Sequence, residues 1–262
     1  MRPTLLALLS AVLLHAQWKL PASTSDLNAP PPKAADGKPD LSGIWEQDSM
    51  THFRDLTSDM KPEDVPWRPE AKALRASRAD GARGLEEPDA NCLPQGVPKI
   101  DYVSYPWKLV ETPTSVVMMF ETFTFWRQIF TDGRTPDPAA KPSWMGYSVG
   151  HWEGDTLVVE TTGFNGKLWL DQIGHPTTDK LRVTERFTRT HYGHLRIDVD
   201  IDDPGAYTAK WSASQVVHLR PTWEPLEFIC EENNRDMENL PGDASFIGLS
   251  NVEAAKRKGY LK

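Results

Sequence analysis

The sequence predicts an all-β protein, an antiparallel meander that closes into a barrel or folds into a sandwich, with one or two short helices. Two observations predict it. Nine strand-like runs follow one another between Trp107 and Cys230, and prolines, which cannot donate to a ladder, fall between these runs and never inside them. No fixed internal repeat points to a solenoid or a propeller.

Taken in order, residues 1–16 read as a secretory signal: Arg2 supplies the positive start, Leu5 to Leu14 form an apolar run, and Ala16 is small enough to precede a cut. Residues 17–40 read as a flexible leader, because Pro30, Pro31 and Pro32 stand together in a stretch poor in large apolar residues. Residues 41–262 read as one β-rich domain, opening with the run Leu41 to Trp45. Pro69 followed by Glu70 to Ala76 places proline in the first turn of a short helix. Cys92 to Pro98, rich in glycine and proline, reads as a loop that a disulfide would tie down.

The strands expected after that are Trp107 to Glu111, Ser115 to Phe120, Phe125 to Thr131, Met145 to Trp152, Thr156 to Phe164, Leu181 to Arg189, Leu195 to Ile201, Ser212 to Leu219 and Leu226 to Cys230. Glu153-Gly154-Asp155 and Tyr192-Gly193 are hairpin turns, since glycine accepts the positive φ that such turns need. A terminal helix runs through Val252 to Lys256, capped by Ser250 or Asn251.

Composition excludes several classes. The formal charge of −8, about −9 once Arg2 leaves with the signal, has the wrong sign for a phosphate backbone, so no nucleic-acid partner is expected. No later segment is apolar for long enough to span a bilayer, so the chain is not expected to be membrane-embedded. Cys92 and Cys230 are an even pair in an exporting, oxidising compartment, which favours a disulfide over two free thiols. A long closed loop of that kind stabilises by roughly 4 to 5 kcal/mol in the chain-entropy account. There is no GxGxxG, GK[ST], HExxH or GxSxG pattern, and no cofactor is called for.

Candidate chemistry comes from strand parity. Leu181, Val183, Glu185 and Phe187 share a face, so Glu185 lies among apolar neighbours; it either serves a site or pairs with an arginine such as Arg127. Glu160 shares the face of Val158, and if the two strands are neighbours Glu160 and Glu185 could form a carboxylate pair for acid and base work. The long connection from Gly163 to Pro176 carries Asp171 and His175, four positions apart, as a base with its orienting carboxylate or as a simple loop contact. Trp126, Trp152 and Trp169 are candidate aromatic walls for a ligand, or core filling. His191 and His194 lack a third metal ligand, and Asp198, Asp200 and Asp202 read as a solvated strand face, so no metal is assigned.

Several runs together, Arg127 to Arg134, Ser143 to Gly150, Trp152 to Asn165 and Gly174-His175-Pro176, resemble a family of uncharacterised exported bacterial proteins, frequent in acidobacteria and proteobacteria. The resemblance extends from about Leu41 to Asn233. Members often carry a second histidine directly after the Gly-His-Pro triplet, where this chain has Thr177. The opening Leu41 to Trp45 is similar to lipocalin-like barrels. The combined expectation is a periplasmic or secreted lipocalin-like barrel that binds a small hydrophobic or aromatic ligand, with Glu160, Glu185 and Arg127 as polar anchors. The alternatives are a hydrolase or lyase using the carboxylates or Asp171 and His175, and a structural or partner-binding envelope protein. Oligomeric state is not legible.

Overall fold

Every second side chain of the long strands is buried, and the buried set faces one enclosed interior. The computed structural model describes residues 26–232, 234 and 239–243. The signal at 1–16 and the terminal helix at 250–256 lie outside those residues. Nine strands form a closed barrel in sequence order: β1 (Gly43–Glu46), β2 (Trp107–Glu111), β3 (Ser115–Phe120), β4 (Trp126–Phe130), β5 (Tyr147–Glu153), β6 (Thr156–Thr162), β7 (Arg182–His191), β8 (His194–Asp202) and β9 (Trp211–Leu219). Trp45 of β1 pairs with Leu219 of β9 and closes the ring. The fold is therefore the barrel and not the sandwich.

Parity shapes its topology. A closed ring whose neighbours all run in opposite directions needs an even number of strands, so a nine-stranded ring must hold a like-directed pair. That pair is β4 and β5, joined in parallel through Ile129↔Ser148 and Phe130↔Val149; the other neighbours are antiparallel. The expected antiparallel meander closing into a barrel is the observed fold, with this one parallel seam, where residues 131–146 carry the chain back before β5.

Eight of the expected strands lie within two residues of their observed ends. The ninth, Leu226 to Cys230, is no strand. Its amides at Leu226 and Phe228 donate to the side chains of Glu121 and Thr124 and not to a ladder, and Leu226 stands exposed. Two helices interrupt the chain between β1 and β2: α1 (Thr51–Arg54) and α2 (Pro69–Ser77), the latter opening on its proline. Residues 26–40, expected as a flexible leader, are held against the β7–β8 hairpin, whose Tyr192 and Gly193 amides donate to Ala29 and Leu27 carbonyls at 2.7 and 2.8 Å. Backbone hydrogen bonding compensates there for the scarcity of apolar side chains.

The segment from Cys92, expected as a loop tied down by the disulfide, goes further than that. Gln95 through Val103 is buried without interruption, and Lys99 to Tyr102 form a turn of 3-10 helix. This segment is a plug that fills the barrel together with inward side chains such as Trp45, Trp107, Phe187 and Ile197. Lys99 anchors it, donating to Glu87 at 2.5 Å and to Asp89 at 3.1 Å, while Gln215 of β9 donates to the Asp101 carbonyl at 3.0 Å. The Cys92–Cys230 disulfide, whose ends are 138 positions apart, ties the approach to the plug to the segment beyond β9. No helix among the described residues is long and apolar enough to cross a membrane.

Gly96 turns the chain into the plug at φ +74°, and a Cβ there would lie 2.4 Å from Leu168 and 2.9 Å from the Trp144 carbonyl. Gly96→Ala is expected to destabilise the fold by about 1 to 3 kcal/mol from backbone strain alone. Urea unfolding should show a lower midpoint, and an unchanged midpoint would mean that the plug does not pass this way.

Candidate functional site

Two groups of polar side chains are candidates, one inside the barrel and one on its flank. Inside, Arg127 of β4 is the hub. Its guanidinium grips Glu185 of β7 with both terminal nitrogens, the Nη1 to Oε1 contact being 3.1 Å, and donates from Nη2 to Thr161 Oγ1 at 2.9 Å and from Nε to Ser148 Oγ at 3.2 Å. Asp101 reaches in from the plug, 3.5 Å from Nη1. All three charged side chains are sealed from solvent.

One guanidinium cannot balance two carboxylates in a dry interior. Burial first, and Glu185 beside it second, push Asp101 well above the ordinary carboxylate range against the pull of Arg127. The guanidinium itself is held above its usual value, because Glu185 and Asp101 outweigh the burial that would lower it. The group thus reads as one ion pair plus one neutral carboxylic acid. Glu185 is the carboxylate of the ion pair with Arg127.

Glu160 takes no part. Val159, not Glu160, stands opposite Glu185 in the β6–β7 ladder, so Glu160 is on the outer face and exposed. The proposed pairing of Glu160 with Glu185 is therefore corrected by one residue of register, which turns a side chain to the opposite face. Trp126 is also outside and 64% exposed. Trp152 is half-buried against the core, and Trp169 is buried in the long loop with the Arg78 guanidinium 4.1 Å above its ring. These three tryptophans do not come together as walls of one pocket.

On the flank, the residues between β6 and β7 double back at Asp171 to Gly174, with Trp169 bridged to Pro176. Gln172 and Ile173 donate to the carbonyls of Phe53 and Arg54 and so dock α1. Asp171 is completely buried and accepts the amides of Leu56 at 2.9 Å and His175 at 3.1 Å. Burial would raise its carboxyl, but the neighbouring His175 ring and these amides prevail and hold it below the ordinary value. Asp171 and His175, expected as a pair, are brought together: Nδ1 lies 2.5 Å from Oδ2. The ring is stacked on Trp67 at 4.9 Å and 13°, with Trp211 at 6.2 Å.

His175 forms part of the wall of a cleft of about 650 Å³ together with Trp67, Val65, Met60, Ile173, Lys72 and Arg75. That volume lies within the range of small-molecule sites. Trp67 and the α2 cations were missed by the sequence reading; the available signal was an aromatic residue framed by Pro66 and Pro69 beside a helix whose Lys72 and Arg75 are one turn apart. Asp55 also lines the cleft, and one ligand atom each from Asp55, Asp171 and His175 fall within 4.8 Å of one another. His191 and His194 face each other edge-on at 5.5 Å beside the hairpin turn.

Fold and cleft together define a closed β-barrel protein with a plugged interior and an external small-molecule-sized pocket. Compared with protein-family models, curated proteins and solved structures, the chain matches none.

The buried carboxyl makes a pH prediction. In the unfolded chain Asp101 ionises near its ordinary value, whereas in the folded state it keeps its proton, so the native state binds the extra proton and stability falls as pH rises above that value. Asp101→Asn removes this dependence. Its stability curve from pH 5 to 8 should be flatter than that of the parent by up to about 1.4 kcal/mol per pH unit, and the variant should gain on the parent as pH rises. Parallel curves would mean that Asp101 is ionised in the folded barrel.

Proposed function

We propose that the protein is an exported binding protein, periplasmic or secreted, for a small hydrophobic or aromatic molecule carrying a negative group, and that the molecule sits in the flank cleft and not in the barrel. The carrying observation is the composition of that cleft: Trp67, Val65, Met60 and Ile173 offer an apolar, partly aromatic wall, while Lys72 and Arg75 of α2 bring two cations to it, set against Glu63 and against Asp55, whose carboxylate Thr57 already engages. The Arg127, Glu185 and Asp101 group and the buried segment from Gln95 to Val103 put charged and bulky groups inside the barrel, which favours the flank for an apolar ligand. Export is supported by the signal-like start and by the Cys92–Cys230 disulfide, which suits an oxidising compartment. Membership of the exported bacterial family that the sequence resembles belongs to the same reading.

One observation favours a second reading, a hydrolase or lyase: a buried carboxylate stands beside an imidazole that lines the same cleft. The two readings part at His175. For a carrier, His175→Gln alters affinity alone; for an enzyme, turnover falls by about a hundredfold or more while binding persists.

The test of the first reading is titration with anilinonaphthalene sulfonate, an anionic aromatic probe, followed by fluorescence. One site per chain is expected, weakened about tenfold, or about 1.4 kcal/mol, in Arg75→Glu and in Trp67→Ala. Affinity unchanged in both variants, with the fold intact, would exclude the cleft.

A further inference from the structure

The inner end of the cleft carries a feature that neither ligand binding nor the fold accounts for. His175 Nδ1 is buried and makes no hydrogen bond, although Asp171 Oδ2 is only 2.5 Å away. That oxygen already accepts the Leu56 amide. The two atoms are thus in ion-pair contact without the geometry that a hydrogen bond needs. Asp55 completes the group. Its Oδ1 is held by the amide and hydroxyl of Thr57 at 2.9 and 2.7 Å, while no described hydrogen bond reaches its Oδ2.

We propose that Asp55, Asp171 and His175 form a binding site for one divalent transition-metal ion, with Zn²⁺ the representative cation. Two carboxylates and one imidazole suit a borderline ion better than calcium, which takes six to eight oxygens, or copper(I), which favours thiolates. The supports of a metal site are in place: amides of Leu56 and His175 orient the Asp171 carboxylate, Thr57 orients Asp55, and the Trp67 stack fixes the plane of the imidazole. Three protein ligands leave a position open toward the cleft, where water or the negative group of a ligand can bind the ion. This deepens the small-molecule reading and rests on it only for that last step, because the three side chains would hold the ion without a ligand present.

Isothermal titration of the disulfide-intact, metal-stripped protein with Zn²⁺ alone tests the site. One equivalent is expected to bind, and Asp55→Asn should weaken that equivalent by about tenfold or more. Asp55 is only half-buried, so this variant is the one to trust if His175→Gln fails to fold; where His175→Gln folds, it should lose the same equivalent. His194→Gln controls for zinc captured beside the β7–β8 turn, where the His194 ring lies 5.5 Å from His191 and 5.0 Å from His218, and should leave the equivalent intact. Absence of zinc binding, or binding that Asp55→Asn leaves unchanged, would overturn the metal site. Binding of the sulfonate probe to metal-free protein, weakened by Arg75→Glu, would then still stand for the cleft, so the two readings fail separately.

Discussion

A guanidinium inside a β-barrel must find negative charge there, and the rest of this structure is arranged around that need. Arg127 enters from β4 and is answered by Glu185 of β7, which alternates with Val183 and Phe187. Removing either partner alone would leave a charge buried without compensation, which costs far more than the pair contributes. The plug adds Asp101 to the same group. A neutral acid in that position adds polarity without a second buried charge, which is why the plug can seat a polar residue at the barrel's centre.

Filling the interior moves any ligand chemistry outward. The chain between β1 and β2 supplies two things from one insertion: residues 55–67 with α2, which wall the cleft, and the plug, which closes the barrel. The long β6–β7 connection supplies the opposite wall. Trp67 joins the two, stacked on His175 and 5.4 Å from Tyr207 in the turn after β8. The cleft therefore stands on elements that pack against the barrel. Arg78 reinforces this wall: buried, with burial lowering it to about 9, it donates to the Gly174 carbonyl at 2.8 Å and covers Trp169.

Much of this was legible in the residues. Period-two burial placed the strands, turned Glu185 inward and named Arg127 as its partner. The connection rich in polar and aromatic groups marked Asp171 and His175. What escaped has a common physical cause, which is that local pattern carries no information about what covers a segment. Gln95 to Val103 has the glycine and prolines of a surface loop, yet a buried loop is allowed when its polar groups find partners, as Lys99 does in Glu87 and Asp89. Glu160 was placed by its own strand's alternation, but whether it meets Glu185 depends on register across the ladder, which a single strand does not encode. Leu226 to Cys230 has strand composition without a neighbouring edge to join. Trp67 lies between two prolines far in sequence from His175, and only the closed barrel brings them together.

The claim on which the whole account turns is that the barrel is shut, with its central segment as much a part of the fold as the strands. Native-state hydrogen exchange reads this directly at the amides of Ile100 and Asp101, which donate to Gly96 and Pro98 carbonyls at 2.9 Å. They should exchange only through global unfolding, with the same free energy as the amides of the β7–β8 ladder. Exchange orders of magnitude faster than that ladder, with the strands still protected, would show a segment that swings out and a barrel that opens to solvent.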